Sequence, residues 1–350
     1  MLLMNKLMSI GNFINQGGKR MRWLKKGILF SVLALLLLSL AACNSGELEK
    51  VKVGEVTRSI FYAPQYVALE KGFFEDEGLS VNLQTIAGGD KTMTALLSDG
   101  IDIALVGSET SIYVTNQGTN DPIQNFAQLT QTDGTFLVAR EKMENFSWDD
   151  LKGSVFLGQR KGGMPQMAGE FVLKKHGIDP SKDLTMIQNI DFANISTAFA
   201  SGTGDFVQLF EPTASVFENE GKGYIVASFG TELGHIPYTT YMAKDSFLKE
   251  NDKTAQRFTN ALKKAQDFVQ ENSAAEVAKL IQPYFENIDV GLIETVVERY
   301  KTQGSYATDP ILDKEEWENL QAVMEEAGEL PQRVEYEDLV NTTFAKKAAK

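Results

Sequence analysis

Two glycine pairs, Gly88-Gly89 and Gly162-Gly163, each come immediately before a stretch with helical spacing. The first turn of a helix has free backbone N–H groups, and these groups bind anions well. Arg160 and Lys161 stand beside the second pair, where their positive charges would suit a sulfonate or a carboxylate. An ordinary turn also needs such glycines, so both interpretations stay open.

Aromatic and methionine side chains in neighbouring segments predict a different chemistry. They could enclose a flat ring between two faces, or they could belong to the core. The residues concerned are Phe61, Tyr62, Met164, Phe192 and Tyr238. The residue types alone therefore leave anion binding and ring binding as alternatives.

The candidate ligand-binding segments follow predicted strands, because open α/β sheets place ligands at the carboxyl ends of their strands. They are residues 58–62, 88–90 and 107–110 in the first half of the chain and 159–164, 192–194 and 210–211 in the second. The selected ligand contacts are Ser59, Phe61, Tyr62, Gly88, Gly89, Asp90, Ser108, Thr110, Arg160, Gly163, Met164, Phe192, Asn194, Glu211 and Tyr238.

The composition excludes several kinds of site and partner. One cysteine in 350 residues cannot form an internal disulfide or a cysteine-rich zinc site, and His176 and His235 make a histidine-built metal centre unfavourable. The chain has 34 basic and 47 acidic residues, and this net charge of −13 argues against nucleic-acid binding. P-loop, GxSxG and HExxH motifs are missing. We therefore predict no metal, no cofactor and no enzymatic activity.

The N-terminal residues 1–42 are typical of a secretory signal. They carry six basic and no acidic residues, and they end in the apolar run Ile28–Ala42, which is shorter than a membrane span. Met21 is an alternative start. The sequence Leu40-Ala41-Ala42-Cys43 resembles the lipobox of bacterial lipoproteins, which implies that Cys43 is lipidated and becomes the mature N-terminus; a buried thiol is the alternative.

Removal of the signal would leave residues 43–350 with 28 basic and 47 acidic residues, a net charge of −19. Such a surface has no basic patch for anionic lipid, so the acyl chains would have to provide the anchor. Residues 43–50 form a short polar segment, which predicts a tether between the membrane and the folded domain.

From Val51 onwards, strand-like and helix-like segments alternate, which predicts an α/β fold with mostly parallel strands. Thr94-Ala95, Ser98 and Asp102 recur at identical spacing as Thr197-Ala198, Ser201 and Asp205. A weak repeat of this length predicts two lobes of related topology; chance agreement of common residues is the alternative.

Two strand-like segments are expected to connect the lobes. They are Phe136–Arg140 and Tyr238–Ala243, and Arg140 is expected to serve the hinge. The predicted first lobe is 51–137 plus 241–350, including helices at the C-terminal end, and the predicted second lobe is 138–240. Apolar residues at helical spacing after Phe258 predict the C-terminal helices.

Several motifs, taken in order, resemble the substrate-binding proteins of ABC importers for nitrate, sulfonates, taurine and thiamine-related pyrimidines. The motifs are residues 63–74 (APQYVALEKGFF), 77–81 (EGLSV), 101–108 (IDIALVGS), 150–153 (DLKG) and 210–212 (FEP). The resemblance implies a type II periplasmic-binding-protein fold, in which two lobes with mixed, mostly parallel sheets are joined by two crossover strands. It also implies a small-molecule solute, a cognate permease with its ATPase, and an extracytoplasmic position on the cell membrane.

The resemblance leaves the ligand undecided between a sulfonate-type anion and an aminopyrimidine. Residues 162–165 read Gly-Gly-Met-Pro, where sulfonate binders more often offer hydroxyl side chains. Glu211 could accept hydrogen bonds from an amino group, as in binders of thiamine-related pyrimidines. The alternatives to an importer subunit are a pyrimidine-biosynthesis enzyme on the same fold and a ligand sensor without a transporter. We expect a monomer.

Overall fold

The computed structural model describes residues 47–350. Cys43 and the predicted signal peptide lie outside the described residues. Within residues 47–350, no helix is both long enough and apolar enough to cross a membrane. The first strand begins at Glu49, whose carboxylate is held by Thr254 and Arg257. The predicted tether to Lys50 therefore extends two residues too far, because Glu49 and Lys50 are already part of the sheet.

The strands of the described residues fall into two sheets of five. They are β1 Glu49–Glu55, β2 Leu79–Thr85, β3 Ile103–Gly107, β4 Ile123–Thr130, β5 Thr135–Ala139, β6 Val155–Leu157, β7 Thr185–Ile187, β8 Phe206–Phe210, β9 Tyr224–Ser228 and β10 Thr239–Lys244.

The helices connect these strands and then form the C-terminal part of the chain. They are α1 Ala63–Glu70, α2 Phe73–Asp76, α3 Gly89–Leu97, α4 Glu109–Asn116, α5 Met164–Lys175, α6 Ile195–Ala200, α7 Thr213–Asn219, α8 Phe229–Leu233, α9 Asp245–Glu250, α10 Asp252–Glu271, α11 Ala274–Ile281, α12 Val290–Thr302, α13 Lys314–Glu326, α14 Tyr336–Leu339 and α15 Thr343–Ala348. Single 3-10 turns lie at Ile60–Tyr62, Trp148–Leu151, Phe192–Asn194 and Gln282–Tyr284.

The first sheet has the strand order β2-β1-β3-β10-β4. β1 runs parallel to β2 and β3, with Val53 opposite Ile103, whereas β10 runs antiparallel to both β3 and β4. Helices cover this sheet, and β4 is accordingly buried along its whole length. We call this sheet and the helices that connect its strands lobe 1.

The second sheet has the equivalent order β7-β6-β8-β5-β9, and we call it and its connecting helices lobe 2. β6 is parallel to β7 and β8, and β5 is antiparallel to β8 and β9. In each sheet the antiparallel strand is the first strand after the chain arrives from the other sheet. The predicted α/β architecture with two mixed sheets is therefore present.

The repeated aspartates have the same role in the two lobes. Asp102 accepts a hydrogen bond from the backbone N–H of Lys52 at 2.7 Å, and Asp205 accepts one from Val155 at 2.8 Å. The aspartate thus fixes the start of β3 against β1 in lobe 1 and the start of β8 against β6 in lobe 2. The predicted repeat is thus a repeat of structure as well as of sequence.

The chain passes between the sheets just before each of the two predicted segments. The first crossing is residues 131–134 and the second is α8 together with residues 234–238. They run side by side, since Ile236 and Tyr238 donate backbone hydrogen bonds to Gln131 and Thr130 at 3.0 and 3.1 Å. β5 and β10 themselves lie wholly within one sheet each, so the crossings precede the predicted boundaries at 137/138 and 240/241.

Arg140 does not lie at a crossing, which corrects the expectation that it serves the hinge. It follows the far end of β5, where its guanidinium donates hydrogen bonds of 2.8 to 3.0 Å to the carbonyl oxygens of Gly204, Thr203 and Phe199. These contacts satisfy the carbonyl end of α6 and the loop that follows it.

The C-terminal helices contact both lobes. α10 packs against α1 of lobe 1, whereas α13 packs against α5 of lobe 2. Lys174 of α5 donates a 2.6 Å hydrogen bond to the carbonyl oxygen of Glu326, the last residue of α13. The packing of α10 agrees with the prediction that residues 241–350 belong to lobe 1, whereas α13 also contacts lobe 2.

Candidate functional site

A cavity of about 360 Å³ lies between lobe 1 and lobe 2. Both lobes contribute to it, and most of its lining residues come from the carboxyl ends of strands and from the helix starts that follow them. They are Val56, Thr57, Tyr62, Gly88, Gly89, Asp90, Val106, Gly107, Glu109, Thr110, Tyr113, Gln159, Arg160, Lys161, Gly162, Gly163, Met164, Pro165, Phe192, Phe210, Tyr238 and Thr239.

The lobe 1 side of the cavity is built from the starts of α3 and α4. Gly88 precedes α3 with φ = 107°, a backbone conformation that glycine adopts without strain. Gly107 ends β3, and a Cβ atom added there would lie 2.7 Å from Cδ of Glu109. A side chain at residue 107 would thus displace the Glu109 carboxylate from its position.

Glu109 is a buried acid at this cavity, with only 4% of its surface exposed. Its Oε1 accepts a hydrogen bond of 3.1 Å from the backbone N–H of Met164, the first residue of α5 in lobe 2. Its Oε2 is buried without a hydrogen-bond partner. Burial raises the pKa of the Glu109 carboxyl to about 7.

The lobe 2 side is dominated by the start of α5. Gly163 is the N-cap residue, so no side chain caps the helix, and Pro165 occupies the first turn. The Gly162 N–H donates to Oε1 of Gln166 at 3.0 Å. Proline has no N–H and Gln166 bonds back to Gly163, which leaves the Met164 N–H as the donor that reaches the cavity acid.

Arg160 bridges the two lobes at the cavity. Its guanidinium lies 3.0 Å from a carboxylate oxygen of Asp90 in lobe 1 and 3.6 Å from one of Asp191 in lobe 2. All three side chains are substantially exposed, so the ion pairs contribute little to folding stability. They do, however, neutralise the guanidinium that would otherwise attract an anionic ligand.

Aromatic rings form much of the remaining wall. Phe192 and Phe210 of lobe 2 have ring centroids 5.9 Å apart, and Tyr62 and Tyr238 line the cavity from lobe 1 and from the second crossing. The Tyr238 hydroxyl is buried and faces the buried carboxylate of Asp133, so Oε2 of Glu109 is the buried polar atom at this wall whose partner the described residues do not provide.

The structure brings ten of the selected residues together around the cavity. They are Tyr62, Gly88, Gly89, Asp90, Thr110, Arg160, Gly163, Met164, Phe192 and Tyr238. Their common origin at strand ends and helix starts explains why one rule of sheet geometry selects so many of them.

The structure places Phe61, Ser108 and Asn194 away from the cavity lining. Phe61 is fully buried and packs on Tyr300 with ring centroids 5.0 Å apart. The Ser108 hydroxyl donates to the carbonyl oxygen of Pro237 in the second crossing. Asn194 is exposed on a 3-10 turn. The aromatic or polar character of a side chain alone does not show whether the residue lines the cavity.

Ser59 and Glu211 line a smaller neighbouring cavity of about 180 Å³. The Glu211 carboxylate already accepts hydrogen bonds from the N–H and hydroxyl of Ser215, at 2.9 and 2.7 Å, and it is ion-paired with Arg299. Burial raises the pKa of Glu211, although Arg299 opposes this shift. These partners occupy the oxygens that the sequence suggested for an amino group of the ligand.

Glu109 is the main cavity residue that the sequence did not predict as a ligand contact. It lies in the candidate segment 107–110, but glutamate at the start of a helix usually remains exposed and stabilises the first turn. The sequence signal was the glycine two residues before it, which allows the carboxylate to fold back over the end of β3. Gln159, whose side-chain amide donates to the carbonyl oxygen of Gln208 at 2.6 Å, was also missed as a lining residue.

Within residues 47–350, no three histidine, cysteine, aspartate or glutamate residues are grouped so that they could hold a metal ion. Neither histidine lines the cavity. His176 stacks on Trp148 and pairs with Glu232 at 2.8 Å, and His235 lies 3.6 Å from Glu316.

Known proteins resemble this chain in sequence and in fold. The model of the NMT1-like family matches residues 44–282. A Bacillus subtilis (strain 168) protein named as the binding protein YtlA is 62% identical over 327 residues, which cover 93% of this chain and 98% of that protein. A second protein of that organism, named as an aliphatic sulfonates-binding protein, is 24% identical over 356 residues, covering 93% of this chain and 97% of its own.

A solved structure shows the same fold. The alkanesulfonate-binding protein SsuA from Xanthomonas axonopodis pv. citri, bound to MOPS, superposes with a TM-score of 0.70 at 18% identity and covers 85% of this chain and 100% of its own. Together with the two mixed sheets, this likeness confirms the expected periplasmic-binding-protein fold.

Proposed function

This chain belongs to the NMT1-like family, and from this premise we propose that it is the solute-binding subunit of an ABC importer. It captures a small organic solute between its two lobes and delivers the solute to a permease that is driven by an ATPase. The observation that carries the proposal is the cavity of about 360 Å³, which both lobes line and which lies where open α/β sheets bind ligands.

Ligand binding is coupled to closure of the lobes in this proposal. Several contacts already cross the cleft, among them Glu109 with Met164, Arg160 with Asp90, and Ser59 with Glu211. The crossings at residues 131–134 and 229–238 are the segments about which the lobes rotate, and the permease recognises the closed form.

The ligand contacts in this proposal are the residues around the cavity. Tyr62, Phe192, Phe210 and Tyr238 enclose the solute, and the starts of α3, α4 and α5 provide its polar contacts. The aromatic wall supports a flat ring, such as an aminopyrimidine, over a sulfonate, since Arg160 is already paired with two carboxylates.

The anchor and the location complete the proposal. The apolar run before Cys43 and the lipobox-like Leu40-Ala41-Ala42-Cys43 support lipidation, and the family match begins at residue 44, directly after Cys43. The protein would then act as a monomer on the extracytoplasmic face of the cell membrane. The positions of both histidines outside the cavity support a binding protein over a pyrimidine-biosynthesis enzyme.

A solute library tests the proposal directly. Purified residues 44–350 are screened by thermal shift against aminopyrimidines, alkanesulfonates, taurine and nitrate, and any stabilising solute is titrated by calorimetry. We expect one solute class to stabilise the protein, with X-ray scattering showing compaction at saturation. Absence of stabilisation across the library, together with no small molecule in protein purified from its native host, would count against a solute-binding role.

A further inference from the structure

The carboxylate of Glu109 is located where helix α5 would otherwise receive an anion. α5 has twelve residues, so its N-terminus carries a partial positive charge from the aligned peptide groups. Its N-cap residue is Gly163, which has no side chain to accept a hydrogen bond. Glu109 accepts the Met164 N–H at 3.1 Å from the opposite lobe, and thus replaces the missing cap.

Several contacts hold Glu109 in this position. Only 4% of the surface of Glu109 is exposed. Gly107 has no side chain, and the carboxylate occupies the space that a Cβ atom there would fill. Oε1 is bonded to Met164, whereas the equally buried Oε2 has no partner. A buried carboxylate oxygen is costly to leave unsatisfied. Oε2 lies against Gly107 and is shielded from the cavity, so the carboxylate contributes its negative charge to the site and not a free acceptor.

The cations around the cavity do not alter this conclusion. Arg160 lies between Asp90 and Asp191 at 3.0 and 3.6 Å, so its charge is already balanced. Lys161 is exposed at the cavity edge, where solvent screens its charge. The buried part of the cavity consequently contains one acid, Glu109, and no buried cation among its lining residues in the described part of the chain.

We infer that Glu109 acts as an internal occupant of the anion position at the start of α5, and that it makes the cleft select neutral or cationic solutes over sulfonates and other anions. This inference rests on the proposed function, because it concerns the solute that the same cleft binds. It assigns to Glu109 the role of a specificity-determining residue: an anion would have to displace its carboxylate, whereas a neutral or cationic solute would not be repelled by the negative charge.

Chemical replacement of the carboxylate tests the inference without knowledge of the natural ligand. Glu109→Ala leaves a vacant position beside the Met164 N–H, and a small anion should fill it. Calorimetry with sodium methanesulfonate at pH 8 and constant ionic strength should show binding about tenfold or more tighter to Glu109→Ala than to the wild type. Glu75→Ala is the matched control, because it removes an exposed carboxylate from α2. If Glu109→Ala gains no more affinity than Glu75→Ala, the inference is wrong.

Glu109→Gln provides a second measurement that preserves packing. The glutamine oxygen can still accept the Met164 N–H, but its charge is absent. Benzamidine and benzenesulfonate, which share a ring and differ in charge, are compared as ligands. We expect wild-type protein to prefer benzamidine and Glu109→Gln to lose that preference by about tenfold. A wild-type preference for benzenesulfonate would overturn the inference.

The outcomes separate this inference from the proposed function. A library screen without any stabilising solute would oppose the proposed function, whereas the gain of methanesulfonate binding by Glu109→Ala would still support the anion position. Conversely, a wild-type protein that binds alkanesulfonates in the cleft would retain the proposed function and refute the role of Glu109.

Discussion

The hydroxyl of Ser59 in lobe 1 donates a hydrogen bond of 2.7 Å to the carbonyl oxygen of Glu211 in lobe 2. Ser59 Oγ also accepts the N–H of Phe61 at 3.2 Å, as the N-cap of the 3-10 turn that follows. One buried side chain thus fixes both a local turn and the contact between lobes.

Ser59→Ala should weaken the closed form of the protein. The substitution removes the cap and leaves the Glu211 carbonyl oxygen without this partner, so the free energy of unfolding should fall by about 1–2 kcal/mol. Urea denaturation measures this loss, and X-ray scattering without ligand should show a larger radius of gyration. Ser98→Ala, which removes an exposed hydroxyl at the end of α3, is the control. Equal stability losses in the two variants would contradict the prediction.

The pH dependence of stability should report on Glu109. Burial raises the pKa of its carboxyl from 4.5 to about 7, so the folded protein holds this proton more tightly than the unfolded chain does. The stability that this proton provides is complete below pH 4.5 and is lost as the pH rises through 7, with an upper limit of about 3 kcal/mol.

Urea unfolding of the wild type and of Glu109→Gln between pH 5 and 8 measures this contribution. The stability of the wild type relative to the variant should fall as the pH rises across this range. Asp133, whose pKa burial raises to about 6, titrates in both proteins and cancels in the comparison. Parallel pH profiles would show that Glu109 does not titrate in this window.

Arg299→Met should destabilise the contact between α12 and lobe 2. It removes the cation paired with the fully buried carboxylate of Glu211, and loss of one partner of a buried pair typically costs about 3–5 kcal/mol. Chemical denaturation at pH 8 should show a loss of this order, and addition of Glu211→Gln should restore part of it. Arg333→Met, which breaks exposed pairs with Glu318 and Glu325, is the control and should have little effect.

Cys43→Ala should abolish lipid attachment if the proposed anchor is present. Cells that express the full chain are labelled with a traceable fatty acid, and the protein is recovered by immunoprecipitation. Label should appear in the wild type and in the control Ser45→Ala, but not in Cys43→Ala, because only the cysteine can carry the thioether-linked lipid. Retention of label in Cys43→Ala would exclude this cysteine as the attachment site.

The alternation of apolar residues predicted much of the framework. The strand-like segments predicted at Phe136–Arg140 and Tyr238–Ala243 coincide, within one residue at each end, with β5 and β10. These elements depend on local periodicity, which the sequence displays directly. The repeat was also visible, because Asp102 and Asp205 each bind a backbone N–H of a neighbouring strand in the same way.

The contacts of individual acids could not be predicted in this way. Glu211 looked available for ligand because its partner, Arg299, lies 88 residues further along the chain. Glu109 was not chosen from its candidate segment, because its partner, Met164, belongs to the other lobe. The burial of an acid depends on which distant segment packs over it, and no local pattern records that.

The strand order has a consequence for how the chain folds when it emerges with its N-terminus first. All five strands of the second sheet lie between Thr135 and Ser228, so lobe 2 can assemble as soon as this segment has emerged. In the first sheet, β10 is the one strand of the described residues that neighbours β4, and it follows more than a hundred residues later. In lobe 1, β4 therefore stays without its neighbouring strand until lobe 2 has emerged. Completion of lobe 1 is thus a late step of folding. Until then the unpaired strand edge leaves the chain most prone to aggregation.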